Sequence, residues 1–278
     1  MTDTKFAAGP GGVETLRVQV DKIDSQILDL LIERAGLSGA IAAAKLKQPG
    51  APAIEAGALA MRPAREVQVL RRLLEMAQGR LDPALVVETW RGLMTSNLRS
   101  QTPFDVWVAP GADPVVIWDL ARRHFGGGAP LNRAIDARGA LQKVIENPLS
   151  IAVLPFPGSV GSGGWWPILV ESKSADLRIV AALPCHAETG KPPEAAVVAR
   201  IALEPAGQDE TLLISLDERG RAPKMLQESG LKAEEIERAR AQALYRIPEF
   251  VSENDERIQF ARGRLDGLRV VGSFSRVV

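Results

Sequence analysis

One cysteine and two histidines are all the chain offers of the usual metal-binding and redox side chains, and the scarcity excludes several chemistries. Cys185 has no partner for an intrachain disulfide, which fits a reducing compartment, and beside His186 it reads as a packed thiol rather than a nucleophile. His124 and His186 are too far apart in sequence to suggest a zinc cluster, so no metal is expected. Long apolar runs are also missing. No stretch approaches the roughly 18 consecutive apolar residues of a membrane span, and the opening MTDTKFAAGPGG has no basic-then-apolar order. Residues 1–12 read as a short disordered tail. A net charge is absent as well: Lys+Arg and Asp+Glu number 34 each. No global field therefore draws the chain to nucleic acid or an anionic membrane, and any anion site must be local. A soluble cytoplasmic protein is expected.

The 278 residues exceed one typical domain. From Val13 onward, Leu16, Val20, Ile23, Ile27, Leu30, Leu31, Leu37 and Ile41 recur at three- and four-residue steps with no proline before Pro49. They predict one amphipathic helix of about 30 residues, on the order of 45 Å, which is long for a monomeric bundle and suggests packing against another chain. Residues 48–60, with Pro49, Gly50, Pro52 and Gly57, read as a loop. Pro63 starts a second helix that runs to Gly79, and Asp82-Pro83 caps a third that ends at Thr102-Pro103. Beyond residue 103, short apolar runs at 106–108, 151–154 and 179–183 alternate with helical patterns such as 115–124, so this part is α/β. From about residue 209 the order TLLIS, APKMLQES, a strand around Ile236, ALYRI, DERIQFARGRL and LRVVGSF predicts a βαββαβ unit.

The helical region carries a group of charged and amide residues. Arg34 and Lys45 are eleven residues apart, which places them within about 20° of each other on one helix face. Arg17 precedes Arg34 by seventeen residues, about 25 Å along the axis and about 100° off that face, so a second protomer would have to bring it to the same ligand. Asn97 and Gln101 share a face at i and i+4, and Arg65 and Glu66 open the second helix. Taken singly, each is an ordinary solvated charge or cap. Together they form a seam with several cations and few acids, which would repel itself unless an anion occupied it.

At these positions the sequence resembles the all-helical chorismate mutases. LRVQVDKIDSQILDLLIER follows that family's opening pattern with its two substrate-binding arginines at Arg17 and Arg34. AAAKLK carries its lysine at Lys45, RPAREVQVLRRL its Arg-Glu pair at Arg65 and Glu66, and TWRGLMTSNLRSQ ends on Gln101, with Asn97 where a small polar residue is common. Arg62 departs from the pattern by standing where many members are acidic. The resemblance implies an intertwined homodimer that donates Arg17 across its interface, chorismate as substrate and no cofactor. It gives Arg17, Arg34, Arg65 and Asn97 to the substrate's carboxylate and hydroxyl shell, Glu66 to its hydroxyl, and Lys45 and Gln101 to the breaking ether oxygen. Lys45, Gln101, Arg34 and Glu66 are the expected catalytic set.

The following region resembles a prephenate dehydratase domain in outline. VWVAPGADPVVIWDLARRHFGG and SIAVLPFPGSVGSGGWWPIL follow two of that family's segments, but Pro157 and Gly158 replace its Glu-Asn pair, and Ala199-Arg200-Ile201 replaces its Thr-Arg-Phe. GSVGSGG lacks the Lys-Ser/Thr of a phosphate-binding loop. DERIQFARGRLDGLRVVGSFSR resembles the end of the dehydratase family's regulatory ACT domain. The expected layout is a helical mutase domain at 13–102, a truncated dehydratase-like α/β domain at 103–204 and an ACT-like α+β domain at 205–278. The expected activity is that of a chorismate mutase; a bifunctional mutase and dehydratase, or a silent regulatory relative that binds a partner enzyme, are the alternatives.

Overall fold

A computed structural model describes residues 12–45, 59–188 and 190–277. The expected tail up to residue 11, nearly all of the expected loop at 48–60 and the side chain of Lys45 lie outside the described residues.

The chain divides into two units, one containing the first helix and the other everything from Leu59 onward. Helix α1 (Gly12–Lys45) is 34 residues long. Its apolar side chains are broadly uncovered, with Ile23 and Ile27 each 49% exposed and Leu30 63%.

In the second unit, helices start where the sequence supplies an acceptor for their free N–H groups. Helix α3 (Pro83–Gln101) follows Asp82, whose side chain accepts from Ala84 N at 2.9 Å. Helix α4 (Pro114–Phe125) follows Asp113, which accepts from Val115 N at 2.9 Å. Helix α5 (Ala137–Glu146) follows Asp136, which accepts from Gly139 N at 2.7 Å. Helix α2 (Pro63–Ala77) instead relies on Pro63 in its first turn and stops at Gln78, which adopts a left-handed conformation.

The strands are β1 (Asp105–Val108), β2 (Leu131–Arg133), β3 (Ser150–Pro155), β4 (Arg178–Leu183), β5 (Ala195–Ala199), β6 (Asp209–Leu216), β7 (Glu234–Ala239), β8 (Gln242–Ile247) and β9 (Arg269–Ser275). They form one sheet in the order β2-β1-β3-β5-β4-β9-β6-β8-β7. β2, β1 and β3 run parallel, β5 is antiparallel to both β3 and β4, and β9-β6-β8-β7 is antiparallel throughout. The two halves meet where β4 pairs with β9 in parallel at Ile179 and Gly272, and a parallel bridge between His186 and Val277 extends the joint.

Side chains alternate across this sheet with the period of a strand. Ile151, Val153 and Val197 face a core shared with Val67 and Leu70 of α2, Val87 of α3, and Ile117 and Leu120 of α4. Ala152, Leu154 and Val198 face the opposite core, with Leu141 and Val144 of α5 and with Trp166 of a short 3-10 helix (Trp166–Val170). A third core lies between the β6/β8/β9 strands and two short helices, α6 (Ala222–Glu228) and α7 (Glu256–Arg262). Helices α2 and α3 are therefore built onto the sheet alongside α4. Arg71 of α2 reinforces this by donating to the carbonyls of Ala206 and Arg276, each at 3.0 Å.

Candidate active site

The expected site residues are carried by three helices, and α1 is described separately from the other two. On α1, Arg17 is largely exposed and pairs with Glu14 at 3.5 Å, a surface contact of little energetic weight. Arg34 is half-buried, one helix face away from Arg17. On α2, Arg65 is exposed; on α3, Gln101 is exposed and Asn97 half-buried. Asn97 and Gln101 lie four residues apart near the C-terminal end of α3, as their spacing requires.

Glu66 has a partner that the sequence does not announce. Its carboxylate is ion-paired to Arg91 of α3, whose side chain is only 4% exposed. Arg91 also donates from Nε to the carbonyl of His124 at 2.9 Å and meets His124 Nε2 through Nη2 at 2.5 Å. A guanidinium only donates, so Nε2 must accept, and His124 is a neutral imidazole with its proton on Nδ1. That Nδ1 is buried and finds no hydrogen-bond partner among the described residues. Burial first, and the Arg91 charge second, hold the His124 pKa well below its ordinary value. Cys185 lines the same small cavity, and burial pushes its thiol pKa up, which suits packing rather than nucleophilic attack.

The His124 shift makes stability depend on pH. The unfolded chain takes up a proton near pH 6.5, while the folded chain resists it until a lower pH. Between those values the unfolded state binds more protons, so stability is full above about pH 6.5 and is lost as the pH falls. Arg91, Glu66, Cys185, Glu204 and Asp209 face or share this cavity. His124→Gln cannot titrate and keeps an acceptor near the position of Nε2. Thermal unfolding midpoints measured from pH 7.5 to 5 should therefore fall less in the variant than in the wild type. Parallel curves would show that His124 is not the group responsible.

Arg62, the basic residue at a usually acidic family position, grips the carboxylate of Glu204 in a fork, with Nη2 at 3.0 Å from both oxygens and Nε at 3.2 Å from Oε2. The departure from the family pattern thus has a counterpart in the segment leading to β6.

A cleft of about 630 Å3 lies at the C-terminal ends of β1 and β3 and is closed on one side by β7. Both segments that resemble a dehydratase line it, through residues 111–113 and 155–160. Its chemistry is unsuited to a dianion. The start of α4 is already occupied by the Asp113 carboxylate. The cationic residue of the lining, Arg246, is paired with Glu234 at 2.7 Å and Glu210 at 3.3 Å, and Glu194 and Glu235 add further negative charge. Gly158 has φ +80°, and a Cβ there would lie 2.9 Å from Ile236 Cγ2 and 3.2 Å from the Ile236 carbonyl oxygen, so a side chain at that position would be strained and would crowd β7.

Residues 16–102 match the family model described as chorismate mutase type II. Among curated proteins, the bifunctional chorismate mutase/prephenate dehydratase of Stutzerimonas stutzeri is 29% identical over 147 residues, which are 53% of this chain and 39% of that protein. The protein of the same description from Neisseria gonorrhoeae is 34% identical over 173 residues, 62% of this chain and 42% of that protein. The chain spans about two fifths of the length of these relatives. Similar solved structures include prephenate dehydratase in complex with L-Phe from Arthrobacter aurescens, at 12% identity and a TM-score of 0.42 over 62% of this chain and 90% of that one. Another is described as GqqA, a novel type of quorum quenching acylase, at 14% identity and a TM-score of 0.42 over 63% of this chain and 95% of that one.

Proposed function

We propose that this chain is a chorismate mutase, an isomerase that converts chorismate to prephenate as a homodimer. The observation that carries the reading is the chorismate mutase type II match over residues 16–102, which contains all seven residues singled out by the motif resemblance.

The reaction is an intramolecular pericyclic rearrangement. One C–O bond of the enol ether breaks as one C–C bond forms, with no proton transfer or nucleophile. Rate enhancement must then come from holding the reactive conformer and from fixed charges that match the transition state. In this reading Arg17 and Arg34 grip the two substrate carboxylates, because a planar guanidinium can offer each two parallel hydrogen bonds. Lys45 and Gln101 donate to the ether oxygen, where negative charge grows as the bond breaks. Glu66 accepts from the substrate hydroxyl, and Arg65 and Asn97 complete the polar shell. An amide at residue 101 donates at any ordinary pH, so activity should not need acid.

The uncovered apolar face of α1 supports a dimer. Seven large apolar residues on one side of this helix, Val13, Val20, Ile23, Ile27, Leu30, Leu37 and Ile41, are about half exposed or more in the single chain, and a second copy of α1 would both cover them and bring in the partner's Arg17. We read the α/β region as a dehydratase-like remnant without dehydratase activity, given its acidic cleft and the crowding at Gly158. The antiparallel β9-β6-β8-β7 arrangement with α6 and α7 supports an ACT-like end of the chain.

The test is the loss of chorismate absorbance on adding purified protein, with identification of the product. Accumulating prephenate supports the reading. Phenylpyruvate would instead make the chain bifunctional, and no turnover by folded, dimeric protein would point to a silent relative that binds a partner enzyme.

A further inference from the structure

We propose that Arg91 and His124 are positioning residues for the mutase site, through which α4 of the α/β region holds the Glu66 carboxylate in place for the substrate hydroxyl. The inference rests on the mutase reading and adds to it a reason for a catalytically idle α/β region to be retained.

The argument begins with the burial of a permanent charge. Arg91 is 3% exposed, and an arginine so placed needs both an anion and acceptors for its remaining N–H groups. Glu66 supplies the anion from α2, while His124 supplies two acceptors from α4, its backbone carbonyl and its Nε2. The carbonyl belongs to the last turn of α4, where the helix dipole favours a cation. Three helices thus meet on one guanidinium, and neither the α2 nor the α3 segment alone could fix its orientation.

The state of His124 indicates which member of the group is adapted to which. An imidazole free to choose would place its proton where a partner exists. Here Nδ1 carries the proton and is buried without a partner among the described residues, because Arg91 requires Nε2 as an acceptor. His124 therefore carries the unfavourable term, and the orientation of Arg91 gains by it. A further ion pair, Arg123 to Glu88 at 2.7 Å, links α4 to α3 beside this group. Glu66 is held through Oε2, and Oε1 is the oxygen that would accept from the substrate hydroxyl. A carboxylate fixed in this way contributes without having to be ordered when substrate binds.

Arg91→Met would leave Glu66 beside an apolar side chain and put the fold itself at risk, so the decisive variants are at His124. His124→Leu removes the acceptor, while His124→Gln places an amide oxygen near the position of Nε2. Chorismate turnover by the full chain should show kcat/KM about tenfold lower for His124→Leu, roughly the loss of one hydrogen bond to a charged group. The change should fall mainly on KM, because the hydroxyl contact exists before and at the transition state. His124→Gln should stay within about threefold of wild type on the same scale. A His124→Leu enzyme with wild-type kinetics would overturn the proposal. So would equal losses in both variants accompanied by equal falls in melting temperature, which would mean that His124 only packs. An inactive wild type would overturn the mutase reading and the positioning role with it, whereas an active wild type indifferent to His124→Leu would overturn the positioning role alone.

Discussion

Arg34→Ala is expected to lower kcat/KM for chorismate by about 10²- to 10³-fold while leaving the protein folded. The size follows from the role proposed for Arg34: a charged, two-pronged donor to a substrate carboxylate would be worth about 3–4 kcal/mol, and each 1.36 kcal/mol is about tenfold in rate. Arg17→Ala should show a loss of similar order. The two variants together test where the arginines come from, since on one helix they are about 25 Å apart and turned about 100° from each other. Suppose each site takes Arg17 from one protomer and Arg34 from the other. A mixed dimer of the two variants then has one site missing both arginines and one site intact. Random exchange makes about half the dimers mixed, so about a quarter of wild-type activity should return after the inactive proteins are dissociated, mixed and reassociated. If both arginines served a site from the same protomer, mixing would restore nothing.

The parts of this chain that local rules govern are legible in the sequence. Asp82-Pro83 starts a helix because the aspartate satisfies a free N–H and the proline has none to lose. The stepped apolar residues from Val13 to Ile41 give a helix because only that period puts them on one face. The runs at 151–154 and 179–183 became strands within two residues of their expected limits. Strand β2 was harder, because Leu-Asn-Arg at a sheet edge buries too little to impose a pattern. The pairing of β4 with β9 was not legible at all, since it joins residues more than ninety apart through one register pair. The Glu66–Arg91–His124 group was missed for a related reason, because its members are 25 and 33 residues apart and each reads alone as a surface charge. A local signal was present nonetheless. Arg91 falls four residues after Val87 and four before Thr95, both buried, so a charge occupies the inward stripe of α3. A cation at such a position implies a buried anion, and in the helix preceding α3 Glu66 is among the few candidates.

Gly272→Ala is expected to destabilise the second unit by about 3 kcal/mol or more, the cost of forcing extra volume into packed backbone. Glycine-to-alanine changes usually have the opposite tendency. Where space allows, they restrict the unfolded chain and stabilise by about 0.4–1 kcal/mol. At Gly272 a Cβ would lie 2.6 Å from both Ile179 Cβ and the Ile179 carbonyl oxygen. The obstacle is therefore the neighbouring strand itself, which cannot swing aside as a flexible side chain could. The chain already yields here, since register shifts occur between Ile179 and Ala181 on the β4/β5 side and between Leu212 and Leu213 on the β6/β9 side. Gly127 is the matched control, because a Cβ there meets nothing within 4 Å. The expected result is a large drop in the unfolding midpoint for Gly272→Ala and little change for Gly127→Ala. Ile179 and Gly272 are the register pair of β4 with β9, and the bridge between His186 and Val277 continues the same joint, so weakening it at Gly272 should also broaden the unfolding transition away from two-state behaviour. Equal midpoints for the two variants would mean that the halves of the sheet are held together by their shared core, Trp166 with Leu212 and Phe156 with Phe274, rather than by the strand contact that glycine permits.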